Sequence, residues 1–323
     1  MSCIRTFLLL FLACAAVPAR ALPLQAECIA PAKAGGGFDL TCQLVRKIVR
    51  LAPPPAPQVA VRYLPGGIGA VAFDRAVTQN WSDPGTVVAF STGSLMNLAQ
   101  GRFGPHVPGD VQWLATLGTE YGVVAVRKDS RFKDLAGLMA QLRTNAGGAL
   151  FAAGGAMGSQ DWVKAAMLVR AAGRDHRAMR FVSFEGGGQA IAALRGGHVE
   201  VFCGDAGEAL PAFAAGELRL LAVLAPRRQP GQLASVPTAV EQGVDVVWST
   251  VRGLYLGPGV SPRDRDDWIR MLHRAMATPA FAREARAVGL EPFALTGADA
   301  RRWVDAEFGR MQELARELRL PVR

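Results

Sequence analysis

The chain alternates short apolar runs with longer segments in which apolar residues recur at helical spacing. Short bounded apolar runs predict β-strands, and the longer period predicts amphipathic helices. The strands predicted in this way are Gln25–Ala30, Gln58–Tyr63, Thr86–Phe90, Gly122–Val126, Ala149–Ala153, Arg180–Ser183, Val199–Cys203, Arg219–Leu224 and Leu254–Gly257. The predicted helices are Leu40–Arg50, Ala70–Gln79, Asp134–Arg143, Ser159–Ala172, Gln189–Arg195, Ala206–Ala214, Asp264–Ala277, Pro279–Val288 and Ala298–Leu318. This alternation favours an α/β fold of mostly parallel sheets flanked by helices.

Two of the apolar runs indicate crossings between two lobes. A chain of 323 residues is large for a single core. The run Tyr121–Val126 leads from the first half into the second, and Leu218–Leu224 leads back. We therefore predict one lobe from residues 22–123 plus 225–323 and a second lobe from residues 124–224. Ligands of open α/β sheets bind beyond the carboxyl ends of the strands, which predicts a cleft between the lobes.

The first 21 residues have the pattern of an export signal. Arg5 precedes an apolar core from Phe7 to Val17, and Ala19-Arg20-Ala21 forms an A-x-A cleavage site. We expect cleavage after Ala21 and a periplasmic location. The alternative is a lipoprotein with Cys14 as the lipidated residue, although the residues before Cys14 match that signal poorly.

Charge adds little to this picture. Removal of the signal takes away two arginines and no acidic residue, which lowers the formal net charge from +9 to +7. The basic residues are dispersed and are not interleaved with aromatic ones, so we expect no nucleic-acid partner. A positive field nevertheless favours the recruitment of anions.

The cysteines indicate one disulfide. Cleavage leaves Cys28, Cys42 and Cys203, and the first two are 14 residues apart. In an oxidising compartment this favours a Cys28–Cys42 bridge that ties the first strand to the first helix. Two buried free thiols are the alternative, and Cys203 is expected to be an unpaired core residue.

Glycine-rich loops follow several predicted strands and lead into helices. Such loops aim backbone N–H groups and the positive end of a helix at one point, which stabilises an anion without charged side chains. The strongest loop is Gly35-Gly36-Gly37-Phe38-Asp39, where Asp39 can cap the helix or contact a ligand. Ser91-Thr92 in one lobe and Gly154–Asp161 in the other offer polar groups from opposite walls. Asp205, which follows Gly204, is a weaker candidate that can also serve as a helix cap.

Signatures of catalysis are weak. The sequence lacks H-E-x-x-H, G-x-S-x-G, Walker A and C-x-x-C motifs, and its four histidines lack metal spacing. Gly67, Gly69 and Ala72 fit a dinucleotide fingerprint, but the following strand does not end in the acidic residue that binds ribose. We therefore expect no enzyme, cofactor or metal site, with an exported enzyme that uses a dispersed triad as the remote alternative.

Taken together, these residues resemble the substrate-binding proteins of tripartite tricarboxylate transporters, the Bug-type periplasmic receptors. The resemblance spans essentially the whole chain after the signal. The most specific segments are Glu27–Pro31, Gly35–Cys42, Leu64–Gly69, Gly118–Val123, Phe184–Gly188, Gly196–Val199 and Val236–Gly243. It implies a two-lobed periplasmic binding protein of type II-like fold, whose lobes close around a small carboxylate and which delivers it to membrane permease subunits.

The resemblance also implies which loops hold the ligand. Family receptors bind a carboxylate through backbone groups and ordered waters. On this chain the implied residues are Gly36, Gly37, Phe38, Asp39, Ser91 and Thr92, facing Gly155, Met157, Gly158 and Ser159. Citrate or a related tricarboxylate is the first expectation, and a dicarboxylate, an aromatic carboxylate or an acidic amino acid stays open. We expect a monomer, and a receptor that signals to a membrane sensor kinase is the alternative to a transport receptor.

Overall fold

The structure is a computed structural model that describes residues 22–54 and 56–323. The predicted signal peptide and its cleavage site lie outside the described residues. The described strands are β1 Gln25–Ala30, β2 Gln58–Tyr63, β3 Thr86–Ser91, β4 Gln112–Arg127, β5 Leu150–Gly154, β6 Arg180–Phe184, β7 Val201–Asp205, β8 Leu218–Leu224, β9 Ser249–Leu256 and β10 Glu291–Thr296. The described helices are α1 Gly37–Val49, α2 Ala70–Thr78, α3 Thr92–Ala99, α4 Leu135–Thr144, α5 Gln160–Ala171, α6 Gly187–Arg195, α7 Ala206–Ala214, α8 Pro262–Met276, α9 Pro279–Ala287 and α10 Gly297–Glu317.

The strand β4 joins two sheets. Its first part, from Gln112 to Tyr121, pairs with β9, and part of the same segment pairs with β10. Its second part, from Gly122 to Arg127, pairs with β8 and in part with β7. The strand order through β4 is β2-β1-β3-β9-β4-β7-β5-β6. The two-lobed α/β fold is thus confirmed, whereas the bounds of the lobes stay a prediction.

The sheets are mixed, in contrast to the expectation of mostly parallel sheets. The outer pairs β1–β2, β1–β3, β5–β6 and β5–β7 are parallel. Pairs that involve β4 or β9 are antiparallel. In both sheets the outer parallel strands run toward the central region between the sheets. The strand β4 runs toward this region in the first sheet and away from it in the second, so it is antiparallel to β7 in the second sheet. The strand β8 runs toward the central region in the second sheet and β9 runs away from it in the first, so both are antiparallel to β4.

Six β–loop–helix units surround this central region. The loops after β1, β2, β3, β5, β6 and β7 lead into α1, α2, α3, α5, α6 and α7. Each of these helices therefore begins at the carboxyl edge of a sheet, which is where the sequence pattern had placed the glycine loops. No helix in the described part of the chain is long and apolar enough to cross a membrane.

The predicted disulfide between Cys28 and Cys42 is confirmed. The two Cα atoms are 5.5 Å apart, and the bridge links β1 to α1 within a buried apolar cluster. Cys203 is buried and has no disulfide partner in the described part of the chain. The bridge fixes the position of α1, whose first residues face the central region.

Replacement of Cys28 by serine is expected to lower the free energy of unfolding by about 3 kcal/mol, because the unfolded chain is released from a loop of about 15 residues. For lobes of this size that is a decrease in Tm of about 6–12 °C. Thermal melting under oxidising conditions tests this, and wild-type protein melted with a reductant is the control. Equal melting of the oxidised wild type and the variant would contradict the prediction.

Candidate functional site

A narrow cleft, partly open to solvent, lies where the helix starts of both lobes meet. The residues along it are Ala32, Gly36, Gly37, Phe38, Ile68, Ser91, Gly93, Asn97, Gly154, Ser159, Gln160, Asp161, Gly186, Gly187, Glu208 and Arg252. They include the starts of α1 and α3 from one wall and of α5 and α6 from the other. Four positive helix ends converge on this space, which makes it suited to an anion.

The start of α1 is built without a capping side chain. Gly36 is its N-cap residue in an extended conformation, and no side chain there accepts a hydrogen bond from the helix. The backbone N–H of Gly37 instead donates to Glu208 Oε1 at 2.7 Å. Since Glu208 belongs to α7 of the other lobe, this bond connects the lobes across the cleft.

The opposite wall is formed by the starts of α5 and α6. Ser159 caps α5, and its hydroxyl accepts from Trp162 N at 3.5 Å. Gly186 precedes α6 with φ of 151°, a conformation that favours glycine. A Cβ atom on Gly188 would lie 2.9–3.1 Å from backbone atoms of Ala34 and Gly35, so glycine permits the close approach of the two loops.

A buried chain of alternating charges lies beneath the cleft. Its members in order are Glu120, Arg252, Asp205, Lys164 and Asp161, all nearly inaccessible to solvent. Arg252 donates to Glu120 Oε1 at 2.5 Å and to Asp205 Oδ2 at 2.8 Å. Lys164 Nζ donates to Asp205 Oδ1 at 2.5 Å and to Asp161 Oδ1 at 3.0 Å. The chain joins β4 and β9 to β7 and α5, and so ties the two lobes together.

The pKa values follow from this pairing. Burial opposes ionisation of Asp205, but Lys164 and Arg252 outweigh it and hold the pKa of that carboxyl below its ordinary value. Burial alone would also lower the pKa of Lys164, yet Asp161 and Asp205 raise it above the usual range. Asp205 and Lys164 therefore stay charged at neutral pH and form an ion pair at the centre of the chain, whereas burial raises the pKa values of Glu120 and Asp161 at its two ends.

Glu208 differs from these groups. Burial, together with the charges of Asp205 and Asp161, raises the pKa of Glu208 to about 8. No arginine or lysine donates a hydrogen bond to Glu208 in the described part of the chain. Its carboxyl group is therefore largely uncharged at neutral pH, although it lies at a helix start that can hold an anion.

The predicted site residues fall into two groups, and ligand contact stays a prediction for both. Those along the cleft are Gly36, Gly37, Phe38, Ser91 and Ser159. Those away from its lining are Asp39, Thr92, Gly155, Met157, Gly158 and Asp205. The glycine loops thus bring together the starts of helices, but several of the polar residues beside them have other partners.

Hydrogen bonds with other parts of the protein explain why Asp39 and Thr92 lie away from the cleft. Asp39 accepts from Gly35 N at 2.8 Å and from Tyr63 and Gln43. The hydroxyl of Thr92 accepts from Val251 N at 3.0 Å.

The loop that contains Gly155, Met157 and Gly158 forms the rim of the cleft. Gln100 Nε2 donates to Gly158 O at 2.7 Å, and Arg102 donates to Met157 O. The Met157 side chain is exposed. Gly155 has φ of 124°, and a Cβ atom there would lie 2.6 Å from that of Ser159. This loop therefore connects the lobes through its backbone.

Sequence reasoning missed Glu208 and Arg252 along the cleft, and it included Gln160 only as part of the loop Gly154–Asp161. Arg252 had a usable signal, since a charged residue in an apolar strand indicates a buried ion pair. Gln160 directly follows the helix cap Ser159, which places it at a helix start. Glu208 lies one turn beyond Asp205, and nothing in the sequence separates it from an exposed helical glutamate.

The fold and the cleft define a two-lobed solute-binding protein, with helix starts from both lobes around the ligand space. The model of the tripartite tricarboxylate transporter family receptor matches residues 92–320. The chain belongs to this family, and the resemblance noted in the sequence is confirmed. A curated relative, the UPF0065 protein in the tcbD–tcbE intergenic region of Pseudomonas sp. (strain P51), is 26% identical over 273 residues, which cover 81% of this chain and 77% of the relative.

Solved structures share the fold. The periplasmic binding protein BugD has a TM-score of 0.80 at 19% identity and covers 93% of this chain and 99% of its own. MatC (Rpa3494) from Rhodopseudomonas palustris with bound malate has a TM-score of 0.77 at 22% identity, with 90% and 99% covered. Rpa4515 of R. palustris with adipate has a TM-score of 0.81 at 19% identity, with 92% and 98% covered.

Proposed function

We propose that this protein is a periplasmic receptor that captures a small organic carboxylate between its lobes and delivers it to the membrane permease of a tripartite tricarboxylate-type transporter. The observation that carries the proposal is the convergence of four helix starts on one cleft. Neutral N–H donors at helix starts stabilise a carboxylate without a matching cation. The proposed lobes are residues 22–123 plus 225–323 and residues 124–224.

The comparisons support the ligand class. MatC and Rpa4515 share this fold, and their structures contain malate and adipate, which are both small dicarboxylates. Family membership supports the permease as the partner. Citrate and other tricarboxylates remain within the proposal, because the cleft offers helix starts on both walls.

A panel of mono-, di- and tricarboxylates is expected to contain at least one that stabilises the protein strongly. At about 1,000 times Kd a ligand adds about 4 kcal/mol, which raises Tm by roughly 10 °C for lobes of this size. Thermal melting of protein refolded without ligand measures this shift. The uncharged amides of the same acids are the matched controls, and they should leave Tm unchanged. An unchanged Tm with every carboxylate would overturn the proposal.

A further inference from the structure

The two ends of the Gln160 side chain have different surroundings. Its Nε2 atom donates to Asp205 Oδ2 at 2.7 Å. Its Oε1 atom is buried and has no hydrogen-bond partner, and no other buried side-chain nitrogen or oxygen in residues 22–54 and 56–323 is left in this state. Buried polar atoms are nearly always paired, so an exception indicates a missing partner.

The orientation of this amide is fixed by Asp205. That carboxylate accepts hydrogen bonds from Lys164, Thr250, Arg252 and Gln160, which use all four of its lone-pair positions. Because Lys164 and Arg252 keep Asp205 ionised, it has no proton to donate. Rotation of the Gln160 amide by 180° would place two acceptors against each other. The oxygen must therefore point away from Asp205.

The residue that carries the free oxygen lies at the cleft. Gln160 is the first residue of α5 and lines the cleft, as does Gly93 near the start of α3 on the opposite wall. Gln160 Oε1 would be only 2.6 Å from a Cβ atom on Gly93, so the oxygen lies directly against that glycine. It thus adds an acceptor to a space whose other groups are mainly helix-start N–H donors.

We propose that Gln160 is a specificity-determining residue that accepts a hydrogen bond from a hydroxyl group on the carbon chain of the carboxylate. This proposal rests on the proposed function, which supplies the carboxylate itself. The receptor then prefers hydroxycarboxylates to analogues that lack the hydroxyl, because only the hydroxylated ligand pairs the buried oxygen.

A hydroxyl fits this position better than an ammonium group. The helix starts on both walls direct N–H donors into the cleft, and these disfavour a cation. Glu208 is largely uncharged at neutral pH, and Asp161 is occupied by Gly154 N and Lys164. An ammonium group would also need three acceptors, whereas the amide oxygen satisfies the single donor of a hydroxyl.

Matched ligand sets test the proposal in the wild-type protein. Malate, succinate and aspartate differ only in bearing a hydroxyl, a hydrogen or an ammonium group at one carbon. Citrate and propane-1,2,3-tricarboxylate form a second pair. Calorimetric titration is expected to show about 10–100-fold tighter binding of the hydroxylated member in the set that binds. Equal binding of the deoxy member, or tighter binding of aspartate, would overturn the proposal.

A variant assigns the preference to Gln160. Gln160→Met keeps the length of the side chain and removes the acceptor, while Asp205 retains three donors. The ratio of affinities for hydroxy and deoxy ligands is expected to fall to about one. A ratio that stays at the wild-type value would refute the role of Gln160. Failure of the proposed function is distinguishable, since in that case no carboxylate of the melting panel raises the Tm of the wild type. If a carboxylate without a hydroxyl raises the Tm while no member of either set binds, the role of Gln160 is refuted.

Discussion

Replacement of Arg252 by alanine is expected to lower the free energy of unfolding by about 3–5 kcal/mol. Arg252 is buried and forms ion pairs with both Glu120 and Asp205. Its removal leaves Glu120 without a cationic partner and Asp205 with Lys164 alone, so the desolvation of the buried Glu120 carboxylate is no longer offset. Of the substitutions proposed for this protein, Arg252→Ala therefore has the largest expected effect on the free energy of unfolding.

Thermal melting should show a decrease in Tm of about 6–20 °C for Arg252→Ala. Arg301→Ala is the matched control, since Arg301 forms an exposed ion pair with Asp305 on α10. A pair of this kind contributes about 0.3–0.5 kcal/mol, so the control should melt close to the wild type. If both variants melted alike, the buried charge chain would not be formed in solution.

Replacement of Gly37 by alanine is expected to weaken binding of the carboxylate about 100-fold, because hydrogen bonds to a charged carboxylate contribute about 1.5–3 kcal/mol each and a loss of about 3 kcal/mol corresponds to this factor. A Cβ atom on Gly37 would overlap the guanidinium group of Arg252. That group cannot move aside, since Glu120 and Asp205 hold it. The first turn of α1 must therefore shift, and its N–H donors leave the cleft. The overpacking also costs about 1–3 kcal/mol of stability.

The neighbouring glycine provides the control. A Cβ atom on Gly36 would have its closest contact at 3.6 Å, with Glu208 Oε1, and the backbone there is extended. Gly36→Ala should therefore retain binding within a few-fold of the wild type. Calorimetric titration of both variants with the carboxylate that most raises Tm measures the difference. Similar affinities for the two variants would show that close packing on Arg252 does not position the start of α1.

The repeating β–loop–helix pattern could be predicted because each loop carries its own glycine signal. The sequence pattern did not predict α3, the first part of β4 or β10, and each omission has a physical reason. Every residue of α3 is buried, so the helix has no polar face to reveal its period. The first part of β4 is buried on both faces and contains Glu120, and β10 contains Pro292 at the edge of its sheet.

Only the helix starts, which are the backbone part of the site, could be predicted from the sequence. Helix starts follow from local sequence, whereas the charge chain depends on pairs far apart, such as Arg252 and Glu120 at a separation of 132 residues. Asp205 illustrates the difference. It follows a strand that ends at the cleft, as predicted, but four protein donors occupy its carboxylate. A single sequence does not reveal which acidic residues are already paired.

The bond between Glu208 and Gly37 N has a consequence for any affinity measured on this protein. A ligand carboxylate that reaches the start of α1 replaces a carboxyl group of the protein itself. Binding at that point is an exchange between a largely uncharged carboxyl group and an ionised one, and its free energy is the difference between them. Modest apparent affinity is therefore consistent with strong individual contacts, and selectivity depends on how much better the incoming group fits than the resident one.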